Sequence, residues 1–391
     1  MDRRAFLATG GLTLAGALAG CSFGDSGRQT DTADGDVEVE TVAEGLESPW
    51  SITPLSDSSQ LLVTERVGRV SLVERDSGTV TAVDGAPDVY VSGQGGMLDS
   101  TLHPEYPDEP WVYLTYSGAN DSGESATHLG RGRLNVGQAR FETFEQLHVA
   151  EPFVDSDAHF GSRVVFGPDG LVYVTVGDRQ FKDFGPDHVA QDTTNELGTT
   201  LRLTRTGEVP DSNPFVDDPD VVDAIFSYGH RNAQGMTVHP ETGAIWQAEF
   251  GEQDGDEINI LEAGANYGWP VADEGCTYGE GEPIGVSHED REDVVGPVYS
   301  WPCGSGGFPP SGATFYTGDA FPDWQGDLLV GGLASQYLAR FTVDGQAVEE
   351  APGLLEGRDW RIRDVVVEPD SGHLLVIVDS PDAPVVRLRP A

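Results

Sequence analysis

The chain has 391 residues, with 66 Asp and Glu against 22 Lys and Arg, and a formal net charge of −44. A surface this acidic excludes a nucleic-acid binder that grips phosphates through a basic face, and it excludes charge-driven docking on an anionic membrane. With 50 Gly, 25 Pro and 38% hydrophobic residues, the composition favours many short strands and turns around a core over long helices.

The first elements in chain order are processing signals. Arg3-Arg4 precede an apolar stretch at 5–19, the pattern of a twin-arginine export signal. Leu18-Ala19-Gly20-Cys21 resembles a lipobox, so Cys21 is expected to be lipidated and to become the new N-terminus. The stretch is too short for a transmembrane helix. Three regions follow: a signal at 1–21, a flexible acidic linker at 22–37 and one folded domain at 38–391. The expected location is the cell surface, outside the cytoplasm, with the membrane reached only through a lipid anchor. An acid excess with one lysine, Lys182, is the halophilic pattern, in which hydrated carboxylates keep a protein soluble while molar salt screens their repulsion within about 3 Å. An acidic disordered chain is the alternative, and the recurring strand-like segments argue against it. With Cys21 assigned to the anchor, Cys276 and Cys303 remain as a disulfide or as two unpaired thiols.

One phrase recurs in the body, a Pro or Asp-Gly turn followed by a short hydrophobic strand. Thr53-Pro54-Leu55 leads into 61–66, His103-Pro104-Glu105 into 111–116, and Pro168-Asp169-Gly170 into 172–178. His239-Pro240-Glu241 leads into 245–249, Phe321-Pro322-Asp323 into 328–330, and Glu368-Pro369-Asp370 into 374–379. Six similar β units predict an all-β, six-bladed β-propeller, in which each blade covers its neighbours' apolar faces. Tandem β-sandwiches are the alternative. Uneven spacing of the phrase places long inter-strand loops at 117–160, 178–225 and 263–312.

Five stretches carry candidate chemistry. Gln94 sits in the Gly-rich turn Ser92-Gly93-Gln94-Gly95-Gly96. His159, in His159-Phe160-Gly161-Ser162, stands at a loop end and Asp178 at a strand end; they meet if the intervening strands form a hairpin. Tyr228-Gly229-His230-Arg231-Asn232 sets a guanidinium beside an amide, and a guanidinium in a dry pocket pairs bidentately with a carboxylate. The loop at 249–259 holds Gly251, Glu252, Asp256 and Glu257, and Tyr267 follows; carbonyls and carboxylates in such a loop are hard ligands suited to Ca²⁺. In Trp360-Arg361-Ile362-Arg363, strand alternation sends both guanidiniums to one face.

Together these stretches resemble the soluble PQQ-dependent glucose dehydrogenase and aldose sugar dehydrogenase family, over residues 38–390. The resemblance implies oxidation of the C1 hydroxyl of an aldose to a lactone, with hydride passing to PQQ and then electrons to an external acceptor. It implies His159 as general base, oriented by Asp178. It places Gln94, Arg231, Asn232, Asp256, Arg361 and Arg363 at PQQ. It assigns the carbonyls of Gly251 and Glu252 to a catalytic Ca²⁺, and Glu257 with the Tyr267 carbonyl to a second Ca²⁺. Four positions depart from the family pattern: Ser162 for Gly, Phe250 for a polar contact, Glu252 for Pro, and Ala334 where some relatives have Lys. Two rival readings are a non-catalytic propeller that binds a glycan or protein, and a related PQQ dehydrogenase of another alcohol or aldehyde. No His-Glu-x-x-His, Gly-x-Ser-x-Gly or dinucleotide fingerprint in a βαβ context competes with these readings.

Overall fold

A computed structural model of the chain describes residues 30–34, 37–56 and 58–391; the twin-arginine stretch and Cys21 lie outside them. The strands form six small antiparallel sheets, arranged as a six-bladed β-propeller. Blade 1 runs through Pro49–Pro54, Gln60–Glu65, Arg69–Glu74 and Val80–Ala82. Blade 2 runs through Met97–Leu102, Trp111–Ala119, Ser125–Asn135 and Arg140–Val149. Blade 3 comprises Val164–Phe166, Val172–Val176, Thr199–Leu203 and Ile225–Tyr228. Blade 4 comprises Ala233–Val238, Ile245–Glu249, Asp256–Ile260 and Tyr299–Trp301. Blade 5 comprises Pro310–Phe315, Leu328–Gly332, Leu338–Asp344 and Ala347–Leu354.

Blade 6 joins the two ends of the chain. Its strands Ile362–Val367, Leu374–Val378 and Ala383–Pro390 are completed by Val37–Leu46, in a register running from Val37 opposite Pro390 to Leu46 opposite Ala383. Ladder hydrogen bonds thus close the ring and cover the edge that the last C-terminal strand would otherwise expose. Thr30–Asp34 pairs onto the outer side of Val37–Leu46, so strand pairing reaches into the stretch expected to be a linker.

The recurring phrase is the hairpin between the first and second strands of each blade. Gly170, Gly243 and Gly372 take φ of +73°, +74° and +68° at three of these turns, a conformation glycine adopts without steric cost. The long-loop expectation needs correcting at 117–160. That stretch carries Ser125–Asn135 and Arg140–Val149, the outer half of blade 2. Its glycines and exposed charges hide an outer-strand pattern, because an edge strand meets neighbours on fewer sides. The stretches 178–225 and 263–312 are mainly irregular, interrupted by the short strands Thr199–Leu203 and Tyr299–Trp301.

The core is distributed as one apolar seam per pair of adjacent blades, six in all. Second strands such as Val172–Val176 and Leu374–Val378 are buried at every position. A continuous apolar run is what a strand covered on both faces requires. Among the described residues the helical pieces are four three-residue 3₁₀ turns, and no helix is long and apolar enough to cross a membrane.

Candidate active site

Antiparallel order sends the start of each first strand and the end of each second strand to the same face of the propeller. Gln94, His159 and the Arg231-Asn232 pair precede the first strands of blades 2, 3 and 4. Asp178, Gly251 and Ala334 follow the second strands of blades 3, 4 and 5. At this mouth lies a cavity of about 750 Å³, with Gln94, His159, Arg231, Glu252 and Asp256 in its wall, a size in the range of small-molecule sites. Gly251, Phe250 and Ala334 also line it.

His159 is buried in the wall, in a left-handed conformation with φ of +47°. Its Nδ1 stands 2.6 Å from Oδ1 of Asp178, and its backbone N–H donates to Oε1 of Gln94 at 2.8 Å. The second strand of blade 3 carries Asp178 back to the loop that holds His159, which is the hairpin the spacing required. Asp178 is itself held. Its Oδ2 accepts from Nε1 of Trp269 at 2.9 Å, its Oδ1 from the Gln180 N–H at 2.8 Å, and its own N–H donates to the Arg231 carbonyl at 2.8 Å. Burial lowers the His159 pKa, and it outweighs the opposing pull of Asp178. Burial acts to raise Asp178, but His159, Arg231 and His188 together hold its carboxyl below the usual value. The pair is therefore a neutral imidazole against a carboxylate. The Nδ1 proton faces the acid, and Nε2 is left as the basic nitrogen.

Ser162, where the family pattern has Gly, takes φ of +81°, a region that costs a side-chain residue about 1–2 kcal/mol. Its hydroxyl donates to the Phe160 carbonyl at 3.0 Å, a local tie that holds the turn.

Arg231 lies in the cavity wall over the Trp269 ring, with 5.2 Å from guanidinium to centroid. Its Nη2 donates to Glu252 and its Nη1 to the Phe250 carbonyl at 3.4 Å, while its buried Nε has no partner. Asn232 is fully buried behind it. Its Oδ1 accepts from the Gly161 N–H at 3.0 Å, and its Nδ2 has no acceptor.

Asp256 accepts from the N–H groups of Gly251 at 3.0 Å and Phe308 at 2.6 Å. Burial nevertheless pushes its pKa up to about 6. Glu257 and Tyr267 line a second, small cavity of about 10 Å³, together with Glu249 and Asp273. That is room for one water or ion. Burial, with Asp273 and Glu249 nearby, raises the Glu257 carboxyl well above the carboxylate range, and its Oε1 has no hydrogen-bond partner. Among the described residues no group of three or more His, Cys, Asp and Glu side chains forms a ready-made metal cluster. A cation held here needs main-chain carbonyls among its ligands.

Arg361 and Arg363 share a side, and both reach Oδ2 of Asp379, Arg363 at 2.8 Å and Arg361 at 3.4 Å. Arg363 is buried and also donates to Oε1 of Gln234 at 2.8 Å; Arg361 is 43% exposed along its side chain. Arg66 adds a third guanidinium acting on Asp379. This is a locally basic spot in an acidic protein, but neither Arg361 nor Arg363 is in the wall of the 750 Å³ cavity. The structure thus gathers Gln94, His159, Arg231, Gly251, Glu252 and Asp256 around one space. Asp178 and Asn232 lie directly behind it, and Glu257 and Tyr267 lie in the small cavity beside it.

A protein-family model described as Glucose / Sorbosone dehydrogenase matches residues 46–387. The chain belongs to the glucose/sorbosone dehydrogenase family. It is 35% identical to aldose sugar dehydrogenase YliI of Escherichia coli, over 90% of this chain and 93% of that protein. It is 27% identical to quinoprotein glucose dehydrogenase B of Acinetobacter calcoaceticus, over 88% of this chain and 85% of that protein. Its fold matches the PQQ-bound form of aldose sugar dehydrogenase from Streptomyces coelicolor with a TM-score of 0.72 and 28% identity, covering 90% of this chain and 98% of that one.

Several residues of this glucose/sorbosone dehydrogenase family cavity were not singled out as site residues by sequence reasoning. Gln180, Tyr278 and Ser335 line it, Trp269 fixes Asp178, and Lys182 pairs with Glu252. Trp269 stands two residues beyond Tyr267 and Lys182 is the lone lysine, so both carry a signal. Gln180 and Tyr278 come from irregular loops with no periodicity to read. Cys276 and Cys303 form a disulfide with Cα atoms 5.5 Å apart, which ties the loop bearing Tyr278 to the loop of Gly304, Gly306 and Gly307 on the same wall.

Proposed function

We propose that this chain oxidises the C1 hydroxyl of an aldose to the lactone, using PQQ and Ca²⁺. The observation that carries the reading is the buried His159–Asp178 pair in the wall of a cavity that also presents Arg231. The residues present suit the cofactor. Arg231 Nε and Asn232 Nδ2 are buried donors with no partner, and Glu257 Oε1 is a buried acceptor with none. Such orphans are costly unless a ligand or ion satisfies them. Bound here, PQQ supplies an ortho-quinone that takes up hydride, and Ca²⁺ polarises it.

The chain's own groups do the rest. Arg231, Asn232, Gln94 and Asp256 hold the cofactor, and Arg361 and Arg363, paired with Asp379 outside the cavity wall, add positive charge only from beyond it. The carbonyls of Gly251 and Glu252 take the catalytic cation; Glu257 and the Tyr267 carbonyl take a second one. His159 accepts the sugar's C1 hydroxyl proton at Nε2 as the hydride leaves. Asp178 fixes the tautomer and stabilises the imidazolium. The partner is an external electron acceptor, and the working location is outside the cytoplasm, with lipid on Cys21.

The test is reconstitution of purified protein with PQQ and CaCl₂, followed by assay of a panel of aldoses with an artificial electron acceptor and detection of lactone. Turnover that needs both PQQ and Ca²⁺ supports the reading. Saturable glycan binding with no turnover on any aldose would overturn it in favour of a binding propeller.

A further inference from the structure

Lys182 is the chain's only lysine, and it pairs with Glu252 of the cavity wall. Its ammonium contacts both carboxylate oxygens of Glu252 at 2.5 Å each. The same carboxylate takes Nη2 of Arg231. Glu252 is buried, whereas the Lys182 side chain is 47% exposed. Glu252, Asp254 and Asp256 line the cavity with Arg231 as the one guanidinium among the lining residues. Taken alone, these side chains make the wall negative, and Glu252 cancels the charge of Arg231. An anion entering next to Arg231 would meet repulsion from Glu252 in a site where partial burial strengthens the interaction. The Lys182 ammonium offsets part of that charge, because Glu252 is then neutralised and the Arg231–Glu252–Lys182 trio carries one net positive charge beside Asp254 and Asp256. Ala334, across the same wall, supplies no charge of its own.

We propose that Lys182 is a positioning residue: by neutralising Glu252 it sets the affinity of the cavity for an anionic, carboxylate-bearing cofactor. The proposal rests on the PQQ reading above and assigns part of the cofactor's charge recognition to a loop of blade 3. Lys182 acts through Glu252, so its effect depends on Glu252 being charged. A lysine that merely braced the loop would show no such dependence.

The experiment is equilibrium titration of the full-length protein with PQQ at saturating Ca²⁺, read by tryptophan fluorescence and cofactor absorbance. Lys182→Met is expected to raise the Kd at least about tenfold, the size of one lost charge interaction at a partly screened site. Lys182→Arg is expected to stay within about threefold of the parent, as is the double variant Lys182→Met/Glu252→Gln, in which Glu252 no longer cancels the charge of Arg231. A Lys182→Met protein with parental Kd overturns the proposal, and so does a double variant as weak as Lys182→Met alone. If the parent protein takes up no PQQ, the cofactor reading itself falls and this inference falls with it.

Discussion

Nδ1 of His159 lies 2.6 Å from Oδ1 of Asp178, and Nε1 of Trp269 holds the other oxygen of the same carboxylate at 2.9 Å. This chain of contacts fixes the imidazole in one tautomer before any substrate arrives. His159→Gln is expected to lower kcat by about 10² to 10⁴, the usual cost of a lost general base. PQQ affinity should hold, because Arg231 and the loop carbonyls are untouched. Steady-state kinetics alongside a PQQ titration separate the two effects; near-parental kcat would remove His159 from the proton transfer.

The pH dependence follows from the same pair. Burial lowers the His159 pKa from its ordinary 6.5, and Asp178 partly opposes this. A base must be unprotonated to act, so the acid limb of kcat/KM should fall below pH 6.5. In Asp178→Asn the raising influence is lost and the limb should move further to acid, at a reduced plateau. A limb that moved to higher pH in Asp178→Asn would contradict this coupling.

Glu257 is buried beside Glu249 and Asp273, and its Oε1 has no hydrogen-bond partner, with His288 Nε2 3.9 Å away. A divalent cation that binds only the folded protein stabilises it by mass action. Ca²⁺ should therefore raise the Tm of chelator-treated protein, and Glu257→Gln should remove most of that gain. Differential scanning calorimetry at fixed ionic strength reads this directly, and an equal Ca²⁺ gain in both proteins would count against a cation at Glu257.

The Cys276–Cys303 disulfide spans 27 residues and ties two loops of the cavity wall. Closing a loop of that length is worth on the order of 3–4 kcal/mol in the chain-entropy view. Cys303→Ser is expected to lower the Tm and to raise KM for the sugar, since Tyr278 and the facing glycines lose their tie. A variant with parental KM would show that the wall is held by other contacts.

Net charge of −44 leaves carboxylates repelling one another across the surface in dilute buffer, where screening extends over about 10 Å or more. The Tm should rise from low to molar KCl. A flat or falling profile would remove salt adaptation from the account of this composition.

The six turn-and-strand phrases determined the fold class, because a propeller repeats one local unit and each unit writes its turn residues and its buried second strand into the sequence. Arg231-Asn232, His159 and the loop at 249–259 were legible for a related reason: they flank those strands at one face. Tertiary structure alone decided what lies between repeats. It brought Val37–Leu46 onto the C-terminal strand, made an outer half-blade of 117–160, and set Lys182 on Glu252 and Trp269 on Asp178 across long separations. It also drew Arg361 and Arg363 onto Asp379, away from the cavity wall, where strand alternation had shown only that they share a side. Periodicity reports which face a residue takes within its own strand. The partner waiting on that face comes from another strand or another blade, at a place no local pattern encodes.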